Sequence, residues 1–151
     1  MAIKNIRIIG DEILREKSIE VECINQEILV LLKDMADTMY NNKGAGLAAP
    51  QIGVLKKVVV IDVGEGLIKL INPRIIESSG IQKVVEGCLS IPGKWGELYR
   101  PAKVKVEALN EHNKKIIITG TGDLAKCLCH EIDHLEGILY IDKVIEEVSN
   151  S

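Results

Sequence analysis

The 151-residue sequence has no phenylalanine, one tryptophan and three tyrosines, so aromatic residues make up only 3% of it. Proteins that stack nucleobases need aromatic platforms, and those that grip a phosphate backbone need an excess of cations. Here 19 Lys and Arg face 22 Asp and Glu, a formal net charge of −3, so direct nucleic-acid binding is not expected. No apolar run approaches the roughly 20 residues that cross a bilayer, and no membrane partner is expected. The segment from Met1 to Gly10 lacks the apolar centre and small-residue cleavage site of an export signal. That points to the cytoplasm, a reducing compartment. The four cysteines, at 23, 88, 127 and 129, are therefore expected as free thiols or metal ligands rather than disulfides.

What is present is an ordinary balance for a folded chain, 46% apolar and 27% charged. No repeat or linker divides it, so one domain over residues 1–151 is expected. A chain of this size buries about two-thirds of its unfolded surface and needs no metal as scaffold, so any metal would be there for function. Ile24, Ile28, Leu31, Leu32, Met35 and Met39 recur at helical spacing opposite Glu27, Lys33, Asp34 and Asp37, which predicts an amphipathic helix from about Asn25 to Tyr40. β-rich runs follow at Val58–Asp62, Ile68–Asn72, Ile81–Glu86, Val104–Leu109 and Lys115–Thr119, the last two forming a hairpin around the polar turn from Asn110 to Lys114. A second helix should start near Thr121 or Asp123 and stop at Gly137. The connections are too short for parallel crossovers, so the expected class is α+β with a mostly antiparallel sheet.

The second helix carries His130-Glu131-Ile132-Asp133-His134, an H-E-x-x-H pattern. Residues four apart share a helix face, so both imidazoles can reach one cation, with Glu131 beside a water on it. His112, in the polar turn, reads as surface. A catalytic site of this kind normally takes a third protein ligand. The zincin continuation would place a histidine where Tyr140 stands, and Asp142, Glu146 and Glu147 follow the helix end too closely to return on a second helix. Cysteine remains. A metal between His130 and His134 lies about 7–8 Å along the axis from Cys127, out of thiolate reach, so Cys127 reads as an apolar wall behind it. Cys129 is turned about 100° away from His130, and Cys23 is expected as buried filler. Cys88 lies where a strand breaks between Gly87 and Pro92, a place where the backbone can bend to present a thiolate and a free amide.

Three segments together resemble the peptide deformylases: Gly44-Ala45-Gly46-Leu47-Ala48-Ala49-Pro50-Gln51, Glu86-Gly87-Cys88-Leu89-Ser90, and the H-E-x-x-H. The resemblance covers nearly the whole chain. It implies a peptide-deformylase-like α+β fold whose mostly antiparallel sheet surrounds a central helix bearing the H-E-x-x-H. It implies hydrolysis of the N-formyl group from the N-formylmethionine of new polypeptides, with release of formate. It implies one divalent metal on Cys88, His130 and His134, usually Fe²⁺, with Zn²⁺ or Ni²⁺ able to occupy the same ligands. Activity should then be oxygen-sensitive, because ferrous iron and the thiolate both oxidise. Glu131 would shuttle the proton, and the Gln51 amide and Leu89 N–H would meet the developing oxyanion. Gly46 would expose its backbone to the bound peptide, with Gly44 and Gly87 beside it, and the methionine pocket would draw on Leu124, Cys127 and Leu128. Glu86 and Arg100 are expected to pair across the bend and brace Cys88.

The chain departs from the family in carrying Cys129 where many members have Gln, and in ending on a short acidic tail from Val144 to Ser151 that does not support docking on ribosomal RNA. Two other readings of the same residues are a zinc endopeptidase and a non-enzymatic Cys/His metal or redox-sensing protein. The first would cleave internal peptide bonds, and the second would leave Glu131 without a task.

Overall fold

The computed structural model describes residues 2–148. Its first helix, α1 (Gln26–Asn41), opens at Asn25, whose side-chain oxygen accepts the Ile28 N–H at 3.1 Å. That bond satisfies one of the four amides a helix leaves unpaired at its start. Then come β1 (Gly46–Ala48), a 3-10 turn (Ala49–Ile52), β2 (Val58–Ile61), β3 (Ile68–Ser79), β4 (Gln82–Cys88), β5 (Ile91–Arg100), β6 (Lys103–Leu109), β7 (Lys115–Thr121), α2 (Gly122–Leu135) and β8 (Glu146–Val148). One sheet has the order β1-β2-β3-β6-β7 and the other β4-β5-β8. Every ladder between these strands is antiparallel.

All four residues of β2 are buried, because the larger sheet is covered on both faces. Val58 and Val60 pack with Leu32, Met35 and Met39 of α1. Val59 and Ile61 pack with Ala125, Leu128 and Leu135 of α2. Alternation along β6 sends Val104, Val106 and Ala108 to the α2 side. The expected β6–β7 hairpin is present, with Val106 opposite Ile118 and Leu109 opposite Lys115. A third cluster, Leu14, Ile91, Leu98, Leu139 and Tyr140, seats the smaller sheet against the region beyond α2. The H-E-x-x-H helix therefore lies between the two sheets, one side in the core and the other free to build a site.

Some expectations need correction. The strand expected to stop at Asn72 runs on to Ser79. Asn72 takes a positive φ of 53°, and its amide bonds both ways with the Val21 backbone, so a register shift absorbs Pro73 within the ladder. Strand β1 is too short for periodicity to show, and β5 contains the Gly93 and Pro92 that read as a break; the actual turn is Leu89-Ser90. Cys23 is exposed, not buried, because it lies in the irregular lead-in to α1. Thr121 holds the cap position of α2 without a side-chain capping bond. Gly137 has the positive φ expected of it, 76°, and a Cβ there would stand 2.5 Å from the Arg15 carbonyl oxygen. Of the acidic tail, Glu146–Val148 pair with β5, while Ser149, Asn150 and Ser151 lie outside the described residues.

Candidate active site

Cys88 ends β4, and a register shift between Glu86 and Cys88 re-aims the strand just before the Leu89-Ser90 turn. From the facing helix, α2, come His130 and His134. The donor atoms of the three residues lie within 4.8 Å of one another, with Cys88 Sγ 3.3 Å from His134 Nε2. Cys127 is outside this cluster; its thiol contacts the Ala45 carbonyl at 3.6 Å and lines the cleft. Cys129 is buried in the core, where burial pushes its thiol up to about 11. Tyr140, at the zincin histidine position, stacks 6.0 Å from the His130 ring and donates its hydroxyl to the Lys94 carbonyl. It is a packing residue there.

His130 is oriented by a chain of buried charges. Its Nδ1 lies 2.6 Å from Glu86 Oε1, Arg100 grips the same carboxylate with bonds of 2.7 and 2.9 Å, and the third arm of the guanidinium reaches Asp133 at 2.7 Å. Burial alone would raise the Glu86 carboxyl, but the bonds from Arg100 and His130 outweigh it and hold the group down at about 2. With Nδ1 engaged, His130 turns Nε2 toward Cys88 and His134. The Glu86–Arg100 pair was legible in the sequence, whereas Asp133 was missed. Its signal was an acid inside the H-E-x-x-H, together with an Arg100 that alternation places inward on β5 beside Gly96 and Leu98.

Four buried side-chain atoms have no partner among the described residues: Ser18 Oγ and Asp37 Oδ2 elsewhere in the fold, and Glu131 Oε1 and His134 Nδ1 here. Burial raises the Glu131 carboxyl to about 7, against the opposing pull of His130. Burial and the neighbouring His130 push His134 well down, keeping its ring neutral. A thiol and two imidazoles whose donor atoms converge, His134 through Nε2, with an orphaned carboxylate beside them, fit a divalent first-row cation.

The remaining candidates surround an open cleft of about 830 Å³ lined by Gly44, Gly46, Gln51, Gly87, Cys88, Leu89, Cys127, His130 and Glu131. Gln51 is buried, its carbonyl fixed by the Ala48 N–H at 2.9 Å. Its amide nitrogen is thereby pointed at Ser90 Oγ (3.1 Å) and Cys88 Sγ (3.5 Å). At Gly46 a Cβ would lie 2.6 Å from Glu131 Oε2 and 2.9 Å from Cys127 Sγ, so this glycine admits the helix to the strand. Gly44 makes room in the same way for the Leu89 side chain. Leu124 and Leu128 are not among the residues that line the cleft: they pack over Gly120 of β7 in the core cluster that also holds Cys127.

This arrangement can be set beside known proteins. The polypeptide deformylase profile matches residues 3–150. The chain belongs to the polypeptide deformylase family. It is 57% identical to peptide deformylase 2 of Clostridium acetobutylicum over 98% of this chain and 99% of that one. It is 61% identical to the peptide deformylase of Acetivibrio thermocellus over 96% and 85% of the two chains. The crystal structure of the Thermotoga maritima peptide deformylase superposes with a TM-score of 0.93 at 35% identity, covering 95% of this chain and 99% of that one. That of a Legionella pneumophila deformylase gives 0.92 at 44%, covering 95% and 86%. Deformylases are metalloenzymes of α+β fold, and this chain is a hydrolase that removes the N-formyl group from nascent peptides.

Proposed function

We propose that deformylation proceeds at the junction of β4 and α2, with Cys88, His130 and His134 holding one divalent cation, Fe²⁺ in the native enzyme and Zn²⁺ or Ni²⁺ as substitutes. The convergence of these three donors on a cleft that also receives the partnerless Glu131 carboxylate supports this reading. When bound, the cation would supply Lewis acidity and bring the ionisation of water at the site down toward neutral pH. Glu131 accepts the proton of the attacking water on its free oxygen and returns it to the amine nitrogen that leaves with the peptide. A carboxylate with a partnerless oxygen beside the donor cluster is placed to take and give that proton.

The Gln51 amide, its carbonyl already spent on Ala48, and the Leu89 N–H in the turn donate to the oxygen on which negative charge collects. One such donor is typically worth about 2.7–4 kcal/mol. Strand β1 pairs with β2 on one side only, so its other edge at Gly46 can accept the peptide as an added strand. Gly44 and Gly87 keep the adjoining walls free of side chains, and Cys127 closes the methionine pocket. The catalytic domain spans residues 1–151, works in the cytoplasm on N-formylmethionyl nascent chains, and does not use its acidic tail to dock on ribosomal RNA.

Formate release measured on anaerobically purified protein, together with metal analysis, tests the reading. Activity should follow iron occupancy and decay in air. Equal activity of aerobic and anaerobic preparations at matched occupancy over hours would exclude ferrous iron. Substitution of Cys88 that leaves metal content and activity intact would exclude the ligand set.

A further inference from the structure

We propose that Trp95 determines which nascent chains the enzyme prefers: its ring forms an apolar shelf favouring an aromatic or branched aliphatic side chain in one of the two positions after the formylmethionine. This rests on the reading of the site given above. Along β5, Gly96, Leu98 and Arg100 point inward and Trp95 outward; along the paired β4, Glu86 points inward while Val85 and Gly87 face the cleft. The indole lies against the Gly87 backbone so closely that a Cβ there would stand 2.5 Å from Cζ3 and 2.6 Å from Cε3. Gly87 adjoins Cys88. With a rise of about 3.3 Å per extended residue, a peptide leaving the donor cluster passes the indole within roughly two residues.

Trp95 and Val85 flank Gly87 and remain 43% and 42% exposed, an apolar surface on the wall of the cleft that contains Cys88 and Glu131. The space there, about 830 Å³, lies in the upper part of the 300–1,000 Å³ range that encloses drug-sized ligands. It therefore has room for residues beyond the methionine. If Trp95 served only to cover the Gly87 backbone, the ring would be indifferent to the substrate. An apolar side chain laid on it instead removes surface from water on both partners, which for a half-open shelf should give about a five- to tenfold preference.

The sequence holds one tryptophan, so intrinsic fluorescence reads this position directly. Two measurements on the metal-loaded enzyme decide the matter. First, kcat/KM for formyl-Met-Leu-Phe should exceed that for formyl-Met-Ser-Ser by about five- to tenfold, and in Trp95→Ala the ratio should fall to within twofold of one. Because a ratio is read, a general loss of activity in the variant does not obscure it. Second, the product peptide Met-Leu-Phe should shift the Trp95 emission to shorter wavelength at saturation, and Met-Ser-Ser should not. A ratio near one in the parent, an unchanged ratio in the variant, or equal emission responses to the two products would overturn the proposal. If Trp95→Ala fails to fold, the parent ratio and the emission shift decide alone. Absence of formate release from every formylmethionyl peptide would overturn the reading of the active site instead, while the emission shift would still judge the shelf.

Discussion

The two faces of α2 are both buried, yet they are built on opposite terms. On one, Ala125, Leu128, Cys129 and Leu135 meet Val59, Ile61, Val104 and Val106, and the helix gives up no polar group that lacks an answer. On the other, His130, Glu131 and His134 are equally hidden from solvent, but a Glu131 oxygen and a His134 nitrogen have no partner among the described residues. Leaving a buried polar atom unpaired costs about 1–3 kcal/mol, more when it is charged. A helix that satisfies one face and withholds partners on the other keeps that second face available for a cation and a reacting molecule. Neither burial nor an unpartnered atom alone marks a site, since Ser18 Oγ and Asp37 Oδ2 are also unpartnered; what sets the Glu131 oxygen apart is its place beside three clustered donors that line a cleft.

The largest effect expected from breaking this asymmetry is on the chemistry. Glu131→Ala removes the orphaned carboxylate, so formate release should fall about 10²–10⁴-fold. Metal content should hold, because Glu131 is not among the three clustered donors and only its 4.0 Å contact with His130 is lost. Loss of metal together with activity would assign Glu131 to the ligand set, and full retention of activity would dismiss it as the proton carrier.

Arg100 belongs to the satisfied part of the cleft side, where it answers both Glu86 and Asp133. Arg100→Leu leaves the buried Glu86 with His130 alone to answer it, while Asp133 keeps Lys143 at 3.0 Å, and breaking a buried pair this way costs about 3–5 kcal/mol. Denaturant melts should show a loss of that size. His130, no longer held through Glu86, should bind metal more weakly in equilibrium dialysis. A melt within about 0.5 kcal/mol of the parent would mean water replaces the guanidinium without penalty.

On the core face, Leu128→Ala should cost about 2–4 kcal/mol through lost burial and the cavity left behind. The activity per folded molecule should stay near the parent's, since Leu128 points away from the cleft. A matching fall in kcat would show that the two faces are mechanically coupled.

How much of this asymmetry was legible in the chain follows from what sequence periodicity records. Helical spacing fixes which residues share a stripe, so the approach of His130 to His134 and the aliphatic core positions of α1 were readable in it. The hairpin β6–β7 was equally readable, since a polar turn separates two alternating runs. Contacts between elements distant in sequence leave no such trace. Asp133 joins Arg100 only because β5 passes beside α2, and Gly46 is a glycine because Glu131 and Cys127 come down upon it. Leu124 was read as part of the pocket because a stripe gives a direction but not the neighbour it meets, and that neighbour is Gly120. Strand β5 escaped notice because Pro92 and Gly93 resemble a break, although Pro92 is exposed at the strand's beginning, where a missing N–H is tolerated.

The smallest expected effect concerns pH and isolates Glu86, the carboxylate that is answered, from Glu131, the one that is not. Glu86 sits at about 2 in the folded protein against an ordinary value of 4.5. Its folded pKa is depressed, so the stabilisation it confers is complete above the unfolded value and disappears as pH falls from about 5 toward 2. The shift corresponds to about 3 kcal/mol at neutral pH. Unfolding free energies measured by denaturant at a series of pH values, with chelator present so that metal release does not intrude, should decline across that window. Glu86→Gln should start lower at pH 7 and decline less, so that the two curves converge near pH 2. Parallel curves would mean that Arg100 draws its support from Asp133 alone, and that the charge on Glu86 is neutral to stability despite two guanidinium bonds.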